Sequence, residues 1–229
     1  MIEFLFLDMD NTILDFDMAE RIAIPKTLSA FGITVTEELI ARYHAINKTC
    51  WEMLERGELT RDEVGVRRFA LIFAQEGVKG DPVACNALYL ENLAIGHYFL
   101  PGAEEALQRL HKKYRLYIAS NGTASVQEGR MTSAKLSPYF EKIFISEHLG
   151  ANKPAKEFFD RSFAQIPDFD PARAMMVGDS LTSDILGGIN AGIATCWVNP
   201  GHKPGKPEIK PDYEIESLTQ LEELLQKLN

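Results

Sequence analysis

The stretch IEFLFLDMDNT, residues 2–12, contains the pattern that decides the fold. Residues 2–7 form a short, almost continuous apolar run, which is typical of a strand buried on both faces of a parallel sheet. Two carboxylates, Asp8 and Asp10, follow this run directly. In an open α/β sheet, ligands bind at the carboxyl ends of the strands. The residues that follow each further apolar run are therefore candidates for a functional site.

Similar apolar runs return along the chain, with helical patterns between them. The runs lie at residues 116–119, 143–145, 175–177 and 194–198, and a last short strand is predicted at 213–216. The intervening helical patterns lie at 101–110, 156–166, 181–192 and 218–228. Alternation of this kind predicts an α/β fold, a Rossmann-like parallel sheet with helices on both faces.

Residues 16–98 have a different character. They contain no convincing strand, and their pattern predicts four helices at about 17–31, 36–56, 60–76 and 82–96. Thr60 followed by Glu63 is typical of a capping box at a helix start. We interpret this block as an inserted all-helical cap domain, so that residues 1–15 and 99–229 form the Rossmann-like catalytic core.

The composition excludes several classes of protein. The chain has 229 residues, 24 Lys and Arg against 33 Asp and Glu, and a formal charge of −9. A nucleic-acid polymer as partner is disfavoured, because phosphate backbones require clustered positive charge. Three dispersed cysteines without a CxxC pair fit a reducing compartment. With no secretory leader and no bilayer-length apolar run, we expect a cytoplasmic protein without a membrane partner.

Polar residues follow four of the predicted strands. After the first come Asp8 and Asp10, and the later ones are followed by SNG at 120–122, by Lys153, and by GDSLTSD at 178–184. Each piece alone has a structural explanation, as a helix cap, a turn or a solvated surface residue. Together they predict a site, because carboxylates about 4 Å apart repel by roughly 4 kcal/mol at an effective dielectric of about 20. A cation should offset that repulsion, and oxygen ligands without histidine or thiolate suit Mg²⁺.

The motifs DMDNT, SNG, Lys153-Pro154 and GDSLTSD resemble, in this order, the four motifs of the haloacid dehalogenase-like hydrolases. The helical insertion resembles the cap of the subfamily that carries its cap after the first motif. Within the insertion, ILDFDMAE, WEMLERGELTRDE and RRF are similar to the branch of noncanonical-pyrimidine 5′-nucleotidases.

The resemblance implies roles for the catalytic residues. Asp8 would be the nucleophile that forms an aspartyl-phosphate. Asp10 would be the general acid to the leaving alcohol and then the general base to water. The dehalogenases of the family lack an acid at the position of Asp10, so its presence favours phosphate chemistry.

The resemblance also implies the binding residues. The metal ligands would be Asp8, the main-chain carbonyl of Asp10 and Asp179, with Asp184 reaching the ion directly or through water. Lys153 would pair with both Asp8 and the phosphate. Ser120 and the Asn121 amide would bind phosphate oxygens.

Candidate substrate contacts lie in and beside the helical block. In the second predicted helix, Asn47 is the polar member of a stripe with helical spacing that otherwise contains Ile40, Tyr43, Cys50 and Leu54. Such a stripe is more often the core of a cap than a substrate wall. Trp51 lies alongside it, and Phe16 directly follows the first motif. Phe16, Asn47 and Trp51 are therefore the candidate substrate-binding residues.

These features predict a Mg²⁺-dependent phosphomonoesterase acting on a small phosphorylated substrate, and they leave the oligomeric state open. Residues 16–98 carry 9 Lys and Arg against 12 Asp and Glu. That balance gives no general attraction for a second anionic group, and the insertion offers the aromatic residues Phe16, Tyr43 and Trp51 for stacking on a base. Together with the resemblance of the insertion to the pyrimidine 5′-nucleotidase branch, this favours pyrimidine nucleoside 5′-monophosphates such as dUMP. The alternatives are a phosphoglycolate or sugar-phosphate phosphatase, a mutase, and a non-catalytic phosphate-binding module. A pure binding module needs no general acid, which disfavours the last alternative.

Overall fold

A computed structural model describes residues 1–228. Its centre is a six-stranded sheet in which every adjacent pair of strands is parallel. The strands are β1 Phe4–Leu7, β2 Arg115–Ser120, β3 Lys142–Ile145, β4 Ala174–Gly178, β5 Ala194–Val198 and β6 Tyr213–Ile215. Their order across the sheet is β3-β2-β1-β4-β5-β6. The predicted parallel α/β sheet is confirmed.

The helices fall in the predicted places, with two additions. They are α1 Phe16–Ala30, α2 Glu37–Glu55, α3 Arg61–Glu76, α4 Pro82–Ala94, α5 Ala103–Leu110, α6 Ala124–Ser133, the single turn α7 Ser146–Leu149, α8 Lys156–Phe163, α9 Leu186–Ala191 and α10 Leu218–Leu228. Helix α6 and the single turn α7 were not predicted. The segment 181–192, predicted as one helix, begins instead with the π-helical turn Leu181–Ile185 before α9. No helix among the described residues is long and apolar enough to cross a bilayer.

The chain divides into two compact units, which we call the sheet unit and the helical unit. The sheet unit contains Met1–Phe16, His97–Ala124 and the chain from Ala134 onward. The helical unit contains Asp17–Gly96 and also Ser125–Ser133, which is most of α6. This last segment lies within residues 99–229, which the sequence predicts to form the core.

Two contacts explain why α6 belongs with the helical unit. Arg130 of α6 is fully buried, and its Nε donates to the carbonyl of Gly96 at 2.8 Å. Gly129 brings the α6 backbone close to α4, since a Cβ at this position would lie 3.0 Å from the Cβ of Ala94. The helix thus packs through a glycine and a buried arginine, neither of which produces an apolar stripe in the sequence.

The core of the sheet unit is aromatic. Phe6 of β1 stacks on Tyr117 of β2 with ring centroids 5.2 Å apart, and Phe144 of β3 extends the stack. Phe158 and Phe159 of α8 are fully buried in the same cluster. Large side chains of this kind fix the sheet against its helices, because buried aromatic area is a major source of packing energy. The strand ends are thereby held in register.

The helical unit begins and ends its helices with strong local signals. The Thr60 hydroxyl accepts from the main-chain N–H of Glu63, and the Glu63 carboxylate accepts from that of Thr60. The predicted capping box is therefore present at the start of α3. Gly77 ends that helix at φ 66°, a left-handed conformation that glycine adopts without steric penalty. The α2 stripe that contains Asn47 faces the interior of the unit.

Candidate active site

The first strand delivers Asp8 through a tight turn. Asp8 follows directly after β1, and its main-chain N–H donates to Val177 O of β4 at 2.9 Å. The chain then reverses at Asn11, whose φ of 55° lies in the left-handed region that asparagine tolerates better than most residues. The Asn11 side chain accepts from the N–H of Phe16 at 3.0 Å, at the start of α1. Asp8 is almost buried, and Asp10 is half-buried.

Lys153 lies between the carboxylates of Asp8 and Asp184 and is only 1% exposed. Its Nζ donates to Asp8 Oδ1 at 2.8 Å, to Asp184 Oδ1 at 2.6 Å and to the carbonyl of Ala119 at 2.5 Å. An ammonium group has three N–H donors, so these partners use all of them. Lys153 is therefore buried between two carboxylates that come from different strand ends.

Asp184 is held by the π-helical turn that follows β4. Its Oδ2 accepts from the main-chain N–H of Ser180 at 3.0 Å, and the Ser180 hydroxyl accepts from the N–H of Ser183 at 3.2 Å. Asp179 is fixed through its main chain, because the indole N–H of Trp197 donates to its carbonyl at 2.8 Å. A π-helical turn is rare and is often found at functional sites.

Three carboxylates meet at this edge of the sheet. One oxygen each of Asp8, Asp179 and Asp184 lies within 4.8 Å of the others. Burial raises the pKa of Asp8 well above its usual range, and the neighbouring carboxylates add to this effect although Lys153 opposes it. Burial and the Asp184 carboxylate raise the pKa of Asp179 to about 7. The cluster therefore holds more negative charge than Lys153 alone neutralises.

The electrostatics of Lys153 complement those of the acids. Burial on its own would lower the pKa of Lys153, but the carboxylates of Asp184 and Asp8 outweigh that effect and hold the pKa above its usual value. Lys153 is thus a permanent cation in this site. Lys203 adds positive charge near Asp179, and the carboxylate oxygens of the cluster are ligands that a divalent cation would use.

The loop after β2 contributes hydrogen-bonding groups beside Lys153. The Ser120 side chain is 1% exposed, and its hydroxyl accepts from the N–H of Gly122 at 3.0 Å. The Asn121 side chain bonds to the main chain of Lys153 and to the hydroxyl of Ser183. The residues predicted from the ends of four different strand segments therefore converge within the sheet unit.

A sequence model of the haloacid dehalogenase-like hydrolases matches residues 2–192. The chain belongs to this family. It is 37% identical over 226 residues to the pyrimidine 5′-nucleotidase PynA of Streptococcus pneumoniae, covering 98% of this chain and 95% of PynA. It is 34% identical over 225 residues to the pyrimidine 5′-nucleotidase YjjG of Escherichia coli, covering 98% of each. The predicted family resemblance is confirmed, and the protein is a hydrolase.

A solved member of the haloacid dehalogenase-like family has nearly the same fold. The crystal structure of the HAD-hydrolase YfnB of Bacillus subtilis, bound to magnesium, superposes with a TM-score of 0.94. It is 39% identical in sequence, and the match covers 98% of each chain. The whole described fold is therefore that of a haloacid dehalogenase-like hydrolase.

The donor set of this family member fits a hard divalent cation. The three clustered side chains offer only carboxylate oxygens, which are the ligands that Mg²⁺ prefers over histidine or thiolate. Burial is the largest cause of the raised pKa values of Asp8 and Asp179, and the neighbouring carboxylates add to it, so both effects disfavour the ionised acids. A divalent cation at the cluster would supply positive charge that favours their ionised forms.

The three candidate substrate contacts lie in different surroundings. Phe16 is half-buried in the sheet unit, the unit that carries Asp8. Asn47 lies inside the helical unit, where its Nδ2 donates to Glu20 Oε1 at 3.0 Å and its Oδ1 accepts from Arg68 at 2.9 Å. Trp51 packs beside a small cluster formed by Cys50, Leu54 and Val64. These contacts favour the interpretation of the α2 stripe as a core, and substrate binding by all three residues stays a prediction.

Sequence reasoning did not anticipate the buried polar network around Asn47. Glu20 is 2% exposed, and its carboxylate also accepts from the Tyr89 hydroxyl at 2.8 Å and contacts His44 Nδ1 at 2.6 Å. Arg68 is 4% exposed and also donates to Asn86. In the sequence, the polar residue Asn47 within an apolar stripe indicated such a network, because a buried amide requires polar partners. The sequence did not show which charged residues supply them.

Proposed function

We propose that this hydrolase is a Mg²⁺-dependent phosphatase that cleaves pyrimidine nucleoside 5′-monophosphates through an aspartyl-phosphate on Asp8. The observation that carries the proposal is the position of Lys153, whose ammonium contacts both Asp8 and Asp184. A buried lysine fixed beside a carboxylate nucleophile provides positive charge where a phosphate dianion must approach. The similarity to PynA and YjjG, both named pyrimidine 5′-nucleotidases, supports the substrate class.

In the first step, an Asp8 carboxylate oxygen attacks phosphorus in line with the leaving alcohol. A bond forms between Asp8 and phosphorus, and the bond from phosphorus to the ester oxygen breaks. Asp10 donates its proton to that oxygen, so the nucleoside leaves as a neutral alcohol. Asp10 follows Asp8 by two residues at the same strand end and is half-buried, which suits a residue that exchanges protons with substrate and water.

In the second step, water attacks the phosphorus of the aspartyl-phosphate. Asp10, now ionised, accepts a proton from this water, and the bond between Asp8 and phosphorus breaks. Inorganic phosphate is released, and Asp8 and Asp10 return to their starting states. Division of the hydrolysis into two displacements replaces one difficult reaction by two easier ones.

Asp8, the main-chain carbonyl of Asp10 and Asp179 would bind Mg²⁺, with Asp184 reaching it directly or through water. When bound, the ion supplies positive charge that reduces repulsion between the carboxylates and the phosphate dianion. Lys153 adds a fixed charge on the side of Asp184. Ser120 and the main-chain N–H of Asn121 would donate to the remaining phosphate oxygens, so that the phosphoryl group is oriented before reaction.

Phe16 is the candidate that best fits a base-stacking role. It belongs to the sheet unit together with Asp8, and it is half-buried rather than packed into the core. Aromatic stacking on a nucleobase contributes roughly 1–3 kcal/mol in single-stranded nucleic-acid sites. We propose that Phe16 stacks on the pyrimidine and that the helical unit is the cap domain of the enzyme.

A panel of phosphomonoesters tests the substrate class. The purified protein with Mg²⁺ is assayed against dUMP, UMP, dTMP, phosphoglycolate, a hexose phosphate and p-nitrophenyl phosphate. We expect kcat/KM for dUMP to exceed that for phosphoglycolate. A higher kcat/KM for phosphoglycolate or the hexose phosphate than for every nucleotide would remove the substrate proposal but leave the role of Asp8 intact. Absence of turnover with every compound would support a non-catalytic phosphate-binding module.

A further inference from the structure

The side chain of Asn121 pairs with both main-chain polar groups of Lys153. Asn121 Oδ1 accepts from the Lys153 N–H at 2.8 Å, and Asn121 Nδ2 donates to the Lys153 carbonyl at 2.8 Å. Because a main-chain N–H can only donate and a carbonyl can only accept, these partners fix the orientation of the amide. One side chain thus provides the pair of hydrogen bonds that a neighbouring strand would otherwise provide.

The Lys153 segment needs such a partner because it belongs to no strand. Lys153 lies in the loop between α7 and α8 rather than beside β3. Its side chain is buried, and buried main-chain groups in proteins are almost always hydrogen-bonded. Without Asn121, both main-chain groups of Lys153 would lose the partners that the structure gives them.

The donors of the Asn121 amide are fully used. Of the two hydrogens on Nδ2, one is directed to the Lys153 carbonyl, and the other to Ser183 Oγ at 3.2 Å. The Oδ1 atom is an acceptor and cannot bind a phosphate oxygen. The Asn121 side chain therefore has no further donor for a phosphate oxygen in this arrangement.

We propose that Asn121 is a positioning residue whose side chain holds Lys153 so that its ammonium reaches Asp8 and Asp184. Through Ser183, the same amide ties Lys153 to the turn that carries Asp184. The inference rests on the proposed phosphatase function, in which Lys153 offsets the charge of the phosphate. Asn121 acts on phosphate through Lys153, and its side chain makes no contact of its own with the substrate.

A double-mutant cycle tests this inference with inorganic phosphate as the probe. Isothermal titration calorimetry in Mg²⁺ gives the phosphate Kd of the wild type, Asn121→Ala, Lys153→Met and the double variant. We expect each single change to weaken phosphate binding about tenfold or more. The double variant should bind no more weakly than Lys153→Met, because Asn121 has no further effect once the ammonium is gone. Losses that multiply in the double variant would show direct binding by the Asn121 side chain and overturn the inference.

Asn190 supplies a matched control. Its Nδ2 donates to the carbonyl of Pro154 at 2.9 Å, so it contacts the same loop one residue further on but leaves the main chain of Lys153 untouched. Asn190 is exposed. Asn190→Ala should therefore keep the wild-type phosphate Kd. A loss equal to that of Asn121→Ala would show that any loosening of the loop has the same effect, and it would also overturn the inference.

A second measurement needs neither Lys153→Met nor a functional enzyme. Hydrogen exchange of the Lys153 amide should be fast in Asn121→Ala and slow in Asn190→Ala and in the wild type, because Asn121 is the acceptor for this N–H. A Lys153 amide that stays protected in Asn121→Ala would overturn the inference, even if Lys153→Met fails to fold. If the wild type itself bound no phosphate, the phosphatase proposal would fail while this measurement still decided the role of Asn121.

Discussion

The carboxylate of Asp184 occupies the space that a side chain on Gly178 would need. A Cβ built on Gly178 would lie 2.2 Å from Asp184 Oδ2 and 2.4 Å from its Cγ, distances that real Cβ atoms essentially never show. Gly178 ends β4, so the close approach of the strand to the turn Leu181–Ile185 depends on the missing side chain. The glycine thereby places Asp184 within reach of Lys153.

Gly178→Ala should therefore displace Asp184 and impair the site. We expect kcat/KM with p-nitrophenyl phosphate to fall about 100-fold, since misplacement of a site group by about 1 Å can have that effect. The Mg²⁺ affinity, measured by calorimetry, should fall as well. Gly205→Ala is the control, because a Cβ there has open space around it. Wild-type activity and Mg²⁺ affinity in Gly178→Ala would refute this role of the glycine.

The pair His44–Glu20 predicts a pH-dependent stability. The hydrogen bond to the Glu20 carboxylate raises the pKa of His44 above its usual value, with His44 Nδ1 and Glu20 Oε2 2.6 Å apart. The stabilisation is fully present below the unfolded-state pKa of about 6.5, and it is lost as the pH rises through the folded-state pKa. The difference in free energy of unfolding between wild type and His44→Gln should be larger at about pH 5.5 than at about pH 9.

Denaturant unfolding at the two pH values measures that difference. Glu20→Gln should remove the same pH dependence, because the anionic partner of His44 is then absent. An equal difference between wild type and His44→Gln at both pH values would show that the pair does not couple protonation to folding.

Removal of divalent cations should abolish turnover. We expect excess EDTA to stop hydrolysis of p-nitrophenyl phosphate, Mg²⁺ to restore it, and Ca²⁺ to substitute poorly. Ca²⁺ takes more ligands at longer distances, which disturbs the in-line arrangement of Asp8 and phosphate. Full activity in a metal-free preparation would contradict the interpretation of the Asp8, Asp179 and Asp184 cluster.

Phe16→Ala should reduce nucleotide turnover selectively. If Phe16 stacks on the base, kcat/KM for dUMP should fall about tenfold or more, while p-nitrophenyl phosphate turnover changes little. Trp51→Ala separates the two interpretations of Trp51. A core role beside Cys50, Leu54 and Val64 lowers the Tm and affects both substrates alike, whereas a substrate contact affects only the nucleotide. Equal losses with both substrates in Phe16→Ala would refute the stacking role.

Much of the fold could be predicted because its strands are buried on both faces. Such strands are continuous apolar runs, and the predicted bounds of β1, β2, β3, β4 and β5 agree with the structure within two residues. The four long helices of the insertion agree equally well, because capping residues such as Thr60 and Asp81 mark their starts. Local sequence signals were sufficient to predict the bounds of these elements, because helix or strand propensity agreed with the burial pattern.

Helix α6 and the turn 181–185 could not be predicted from the sequence, and the reason differs between them. Helix α6 contains Ser, Thr and Gly129 and lacks an apolar stripe, and its position depends on the contact of Arg130 with Gly96. The segment 181–192 has a helical pattern, but it begins with the π-helical turn Leu181–Ile185, in which Asp184 Oδ2 accepts from the Ser180 N–H. Helix α6 thus depends on a tertiary contact that sequence spacing does not encode, whereas the start of the segment 181–192 depends on a local side-chain to main-chain bond that its helical pattern does not reveal.

The candidate site also has some features that the sequence predicted and others that it did not. The order of acids, amide and lysine at the strand ends predicted that these side chains would lie close together, and the structure brings Asp8, Lys153 and Asp184 into contact. The sequence did not predict that Lys153 would be buried, since a lone lysine in a loop is usually solvated, or that Asn121 would use its amide on the Lys153 main chain. Such contacts depend on distances between loops that are far apart in sequence.

The covalent role of Asp8 is the central claim, and it is tested most directly by trapping the intermediate. The enzyme is mixed with p-nitrophenyl phosphate and Mg²⁺, quenched in acid, digested and examined by mass spectrometry, with Asp10→Asn included to slow hydrolysis of the intermediate. We predict one added phosphoryl group on the peptide that contains Asp8, removed by hydroxylamine as an acyl phosphate should be. Asp8→Asn should show no such label and should lose at least about 10³-fold in kcat, because covalent catalysis is removed. An unlabelled Asp8 peptide together with more than a tenth of wild-type turnover in Asp8→Asn would contradict the account.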